Sequence, residues 1–295
     1  MKHIIASLLA CLAGLPLAAA ELEFVGRYVW SEPQPDFGEV SGMEIAADGL
    51  GFAVVSDRGW IGIGRLERGA DGAVSGVTGF RMADLVNRKG KPLKRHESDS
   101  EGLAGEPGGP LFVSFEGYHR VWRYDTPFGA AHAIGEHAGF ATLQNNSGLE
   151  ALAIGPDGTL YTMPERSGEW ERPFPVFRYR NGVWDDKLSI PREGRFLPAG
   201  ADFGPDGRLY IVERDFLWYA GFASRIRRFD LTAEGLSDGE TLLVTSFGTH
   251  DNLEAIALWR DAAGAIRLTL VSDDNGNLLQ RTEFVDYRLV EAGGE

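Results

Sequence analysis

The sequence predicts an all-β protein, a single β-propeller of four-stranded antiparallel blades. Three observations predict it. A short acidic pattern recurs about every 50 residues. Each copy is followed by a tight turn and then a β-rich run. The 39 glycines follow no short period, which suits many turns between short strands.

The pattern is a small residue or two, an acid, then apolar or small residues. It reads Ser41-Gly42-Met43-Glu44, Asp99-Ser100-Glu101-Gly102-Leu103, Ser147-Gly148-Leu149-Glu150-Ala151, Ala199-Gly200-Ala201-Asp202 and Asp251-Asn252-Leu253-Glu254-Ala255. The acids therefore fall at 44, 101, 150, 202 and 254. The turns include Gly155-Pro156-Asp157-Gly158 and Gly204-Pro205-Asp206-Gly207. Proline sets φ at the first corner of such a turn, and glycine accepts the positive φ at its end. The β-rich runs are GFAVVS from Gly51, LFVSF from Leu111, TLYTM from Thr159, RLYIV from Arg208 and IRLTLVS from Ile266. Third strands follow at Ile61, Val121, Val176 and Ile226.

Five such units fill nearly all of the chain, so five blades are expected. Six is the alternative, because an acid-free blade would escape the count. An open sandwich is the other architecture compatible with the runs. The strand left over, Leu22 to Trp30, is expected to pair with the C-terminal blade and close the ring.

The first 20 residues read as a secretory signal peptide. Lys2 precedes an apolar stretch from Ile4 to about Leu17, and Ala18-Ala19-Ala20 offers a cleavage site. The stretch is too short for a membrane span and contains Pro16. Residues 21–295 are then the propeller domain, periplasmic or secreted, with no membrane insertion expected. The one cysteine, Cys11, lies in the leader, so the mature chain has no thiol to form a disulfide or bind a metal. Without Lys2 the balance is 28 basic against 43 acidic residues, net −15. That argues against nucleic acid and anionic membranes, which attract basic surfaces. It suits cations, or small anionic or ester substrates bridged by a metal.

First strands of propeller blades line the central channel, so the repeated acids should converge there. Two carboxylates about 5 Å apart at an effective dielectric of about 20 repel by roughly 3 kcal/mol. Such a ring needs bound protons, basic partners or a cation. Oxygen-only ligands suit Ca²⁺ or Mg²⁺ better than zinc. A second acidic ring is expected where the second strands end, at Asp57, Glu116, Glu165, Glu213 and Asp273. Arg58, Arg166 and Arg214 follow three of these acids and are candidates to hold an anionic group. The bland alternative is that acid–arginine pairs pin adjacent blades together. Candidate metal ligands are Glu44, Asp57, Glu101, Glu150, Asp202, Glu254 and Asp273. Glu101 and Glu150 are the candidate general bases. His96 and His119 flank Glu101 and are secondary candidates for proton transfer, and Trp60 and Trp170 are placed to cover a ligand.

Serine-hydrolase elbow, metalloprotease helix, P-loop and dinucleotide fingerprints are all missing from the sequence. The segments Ser41-Gly42-Met43-Glu44, Ser56-Asp57-Arg58-Gly59, Asp99-Ser100-Glu101-Gly102-Leu103 and Asn252-Leu253-Glu254-Ala255-Ile256 together resemble the exported bacterial family named for "esterase-like activity of phytase". The resemblance runs from about residue 37 to 285. It implies a propeller and calcium-assisted hydrolysis of a phosphoester or related ester. The chain departs from a true propeller phytase in lacking a lysine-rich cleft, and its charge would repel phytate. Two alternatives remain open: a non-catalytic propeller that binds a cation or ligand, and a lactonase of the gluconolactonase type.

Overall fold

The computed structural model describes residues 19–145, 147–232 and 235–291. The leader, apart from Ala19 and Ala20, lies outside them. The described residues form five four-stranded antiparallel sheets arranged as a propeller. Blade 1 runs from the centre outward as β2 (Val40–Ile45), β3 (Gly51–Ser56), β4 (Trp60–Arg68) and β5 (Val74–Asp84). Blade 2 is β6 (Ser100–Gly105), β7 (Leu111–Phe115), β8 (Arg120–Tyr124) and β9 (Ala131–Ala133). Blade 3 is β10 (Leu149–Ile154), β11 (Leu160–Pro164), β12 (Phe174–Arg180) and β13 (Val183–Ile190). Blade 4 is β14 (Leu197–Phe203), β15 (Leu209–Leu217), β16 (Gly221–Phe229) and β17 (Glu240–Val244). Blade 5 takes β18 (Asn252–Arg260), β19 (Ile266–Asp273) and β20 (Glu283–Val290), and its outer strand is β1 (Glu21–Val29) from the other end of the chain. The closing pair runs from Glu21 opposite Val290 to Val29 opposite Glu283. Blade number and ring closure are thus those expected from the repeat.

Alternation within the strands explains why the blades stack. On β3, Phe52 and Val54 enter an apolar cluster shared with blade 5, whereas Ala53 and Val55 enter one shared with blade 2. Period two sends successive side chains to opposite faces. The same holds around the ring, with five apolar clusters, each filling the space between two neighbouring blades.

Polar pins reinforce three of these seams. Arg68 of blade 1 bonds Asp286 of blade 5 at 2.8 Å, and both are buried. The Ser41 hydroxyl donates to the Ser100 carbonyl at 2.6 Å, joining blades 1 and 2. Arg225 and Arg227 enclose Glu213, which is fully buried, and Arg227 also donates to the Pro191 carbonyl between blades 3 and 4.

Each inner strand carries a β-bulge near its start. The residue after the bulge is small because the neighbouring inner strand is very close. A Cβ on Gly42 would lie 2.8 Å from the Glu101 carbonyl oxygen, and one on Gly102 would lie 2.8 Å from that of Glu150. This is the physical content of the small residues in the repeat. Midway, small and aliphatic side chains such as Leu103, Leu152, Ala201 and Ile256 close the channel to about 10 Å³, at most one water. The channel therefore has two separate mouths.

Candidate metal centre and anion shelf at one mouth

Register divides the repeated acids into two sets. At the bulge stand Ser41, Glu101, Glu150, Ala199 and Glu254. Three residues further along stand Glu44, Ala104, Ala153, Asp202 and Ala257. The acids that look equivalent in sequence thus sit at two levels. Glu101, Glu150 and Glu254 line one mouth. Glu44 and Asp202 line the other. There Glu44 accepts from the Gly105 N–H at 3.1 Å and Asp202 from the Leu258 N–H at 2.6 Å. Each acid caps the inner strand of the next blade. Burial raises both carboxyls, Asp202 to about 7, and for Glu44 the charge of Asp202 adds to the effect.

The second-strand ring also changes membership. The residue after Ser56, Phe115, Pro164 and Ser272 is an acid, namely Asp57, Glu116, Glu165 and Asp273. In blade 4 the residue in that register is Arg214, because Glu213 pairs with Pro198. Glu213 faces Arg225 and Arg227 inside the fold, away from the mouth.

The first mouth is a bowl of about 330 Å³. Eight carboxylates line it: Asp57, Asp99, Glu101, Glu116, Glu150, Glu165, Glu254 and Asp273. Arg214 is the one cation among its lining residues. This half-buried arginine pairs with Glu165 at 3.2 Å and with Glu254 at bonding distance, and donates to the Asn252 amide oxygen at 3.0 Å. It offsets part of the negative charge on one side of the bowl. On the other side, Asp57, Asp99, Glu101 and Glu116 have no such cation. Burial is the first cause of their shifts and neighbouring carboxylates add to it, pushing Asp57 up to about 8 and Glu116 up to about 7. Glu101 rises well above the carboxylate range through burial and then Glu150, and burial also raises Asp99.

This side of the bowl fits a hard divalent cation. Asp99, Glu101 and Glu116 each offer an oxygen, and the three oxygens lie within 4.8 Å of one another. Asp57 Oδ1 is buried with no hydrogen-bond partner among the described residues. The donor set is all oxygen, the chemistry of Ca²⁺ and Mg²⁺. The structure brings together five of the seven residues picked as ligands, Asp57, Glu101, Glu150, Glu254 and Asp273, and leaves Glu44 and Asp202 at the far mouth. Asp99, two residues before Glu101, and Glu116 of the second ring join this group although neither is among the ligands expected from sequence.

The arginines separate likewise. Arg58 forms a two-pronged pair with Glu39 and lines neither the bowl nor the cavity beside it. Arg214 belongs to the bowl. Arg166 opens onto an adjoining cavity of about 580 Å³ between blades 3 and 4, where Arg192, Arg195 and Trp170 join it. Trp60 is buried in the seam between blades 1 and 5, not over the channel. His96 is exposed beside Glu97, and His119 lines neither cavity.

These features define a five-bladed propeller with one acid-lined mouth. The chain belongs to the phytase-like family described as "esterase-like activity of phytase", which matches residues 35–276. No curated protein matches the sequence significantly. Among solved structures, it is similar to the α-L-arabinofuranosidase PaAbf62A of Podospora anserina in complex with cellotriose. Identity is 11%, with 91% of this chain and 97% of that one covered and a TM-score of 0.55. The exo-β-1,3-galactanase 1,3Gal43A of Clostridium thermocellum is 12% identical over 90% of this chain and 62% of that one, at a TM-score of 0.57. A gluconolactonase of Xanthomonas campestris is 16% identical over 80% and 68%, at 0.42. At such identities the first two likenesses speak to fold alone.

Proposed function

We propose that this protein is an exported, divalent-cation-dependent hydrolase of a phosphoester or related ester, and that it works in the acid bowl. The observation that carries the reading is the uncompensated cluster Asp99, Glu101 and Glu116 beside Asp57. These residues would hold the ion, with Ca²⁺ the expected species. When bound, the ion supplies a Lewis acid for the ester oxygen and a lowered pKa for water. Glu150, which also lines the bowl, would take the proton of the attacking water once the ion's charge favours its ionised form. Arg214 holds Glu165 and Glu254 in position, and Arg166, paired with Glu165 at 3.3 Å but with its side chain 54% exposed, would meet an anionic substrate. The leader ending at Ala20 supports a periplasmic or secreted location.

One observation favours a second reading, a binding propeller without turnover. Asp57 comes from blade 1, and Asp99, Glu101 and Glu116 belong to blade 2. An ion held there would tie two blades together and so stabilise the ring by itself.

The initial rate of p-nitrophenyl phosphate hydrolysis separates the two. The chelator-treated protein should be inactive, and added Ca²⁺ should restore a rate that Glu101→Gln lowers at least 100-fold. A wild-type protein that melts higher with Ca²⁺ yet turns over nothing would leave only the binding propeller.

A further inference from the structure

We propose that the cavity beside the bowl is a second subsite, a shelf that binds a phosphate group carried on a flat ring. It goes beyond the hydrolase reading: the group held here is not the ester cleaved in the bowl, and binding at the shelf does not depend on turnover.

The shelf is built by two loops. Residues 165–173 join β11 to β12, and residues 191–196 join β13 to β14. Arg166, Arg192, Arg195 and Arg214 line it against Glu165, Glu169 and Asp215. Four guanidiniums thus face three carboxylates here, whereas the bowl next door has one arginine to eight acids. Glu165, Arg214 and Asn275 line both cavities, so the two are continuous. An anion entering this mouth without a metal would be repelled by the bowl and held by the shelf.

Arg192 is the centre of the construction. One guanidinium nitrogen donates to the Ser167 hydroxyl at 3.2 Å and the Glu169 carbonyl at 3.3 Å, which fixes the group. Its Nε is buried with no hydrogen-bond partner among the described residues. The guanidinium brings its positive charge to the cavity wall, which favours an anion there. The same guanidinium lies 4.8 Å from the Trp170 ring centre. Trp170 is nevertheless 68% exposed, and Phe216, which also lines the cavity, is 52% exposed. Two exposed aromatic rings facing a cationic cavity of this size match a site that takes a ring with its flat face and an anion with its edge. Arg195, paired with Asp215 at 3.0 Å and 55% exposed, is placed to donate to the anion's remaining oxygens.

Calorimetric titration with phenyl phosphate in the presence of chelator tests the shelf alone, because the metal-free bowl repels anions. The wild-type protein should bind, and methyl phosphate should bind about tenfold more weakly for want of a ring. Trp170→Ala and Arg195→Gln should each weaken phenyl phosphate by about tenfold at an unchanged melting temperature. Both side chains are exposed, so neither change threatens folding. No binding by the wild-type protein, or equal affinity in Trp170→Ala and Arg195→Gln, would overturn the shelf. Binding without Ca²⁺-dependent hydrolysis would sink the hydrolase reading and leave the shelf standing. Hydrolysis without chelator-resistant binding would do the reverse.

Discussion

Glu44 and Glu101 occupy matching places in a sequence repeat and opposite ends of a channel. All five inner strands share a bulge, but the acid stands at it in blades 2, 3 and 5 and three residues later in blades 1 and 4, so a motif aligned by its acid is out of step with the sheet. The structure lets the two be told apart by experiment. Glu44→Gln keeps an acceptor for the Gly105 N–H and removes a charge that its surroundings disfavour. Calcium-stimulated turnover should stay within about twofold of wild type, and the melting temperature should not fall. Glu101→Gln should abolish the calcium response. A loss of turnover in Glu44→Gln as large as that in Glu101→Gln would show that the far mouth takes part. The acidity of the channel was thus readable from residue type, but its division into two levels depended on hydrogen-bond register. The place of Arg214 in the ring itself is hidden in the sequence for a related reason. Sequence pointed to Glu213 as the recurring acid, and only the pairing of Glu213 with Pro198 shows that its neighbour takes the ring position.

Strands and turns were far more legible than site geometry. Alternating apolar residues and Pro-Asp-Gly turns are local signals, and local signals survive in a bare sequence. The Gly158 φ of +79° and the Gly207 φ of +78° are the turn conformations those tripeptides call for. The closing strand was legible by subtraction, since five blades left one strand without a sheet. Its importance can be measured. A chain starting at Glu21 keeps β1 and should melt in one cooperative transition. A chain starting at Ser31 lacks β1, which exposes β20 as a long apolar edge. It should lose its cooperative melting transition and aggregate. A shortened chain that stayed monomeric with an unchanged transition would contradict the role given to this strand.

The whole molecule carries more negative charge than its bowl can easily hold. Asp57, Glu116 and Asp273 have folded-state values of about 8, 7 and 7, above those of the same groups in an unfolded chain. The folded protein therefore binds more protons than the unfolded one across this range, and stability falls as pH rises through about 7 to 8. In chelator, the melting temperature should be higher at pH 6.5 than at pH 8.5 by at least about 3 °C. Calcium should reverse the trend, stabilising more at pH 8.5, where fewer protons compete for the same oxygens. A metal-free melting temperature that rises with pH over this range would contradict the charge distribution described for the mouth. So would a calcium effect independent of pH.

Ring closure also fixes an order of events during synthesis. β1 is the first strand to leave the ribosome, and its partner β20 is nearly the last. For most of translation the leading segment has no edge to join, while blades 1 to 4 can assemble behind it. Completion is therefore a single late event that links the two ends of the chain. A nascent protein stalled anywhere short of Glu283 stays open, and a leading segment that waits unpaired is available to whatever machinery first meets it.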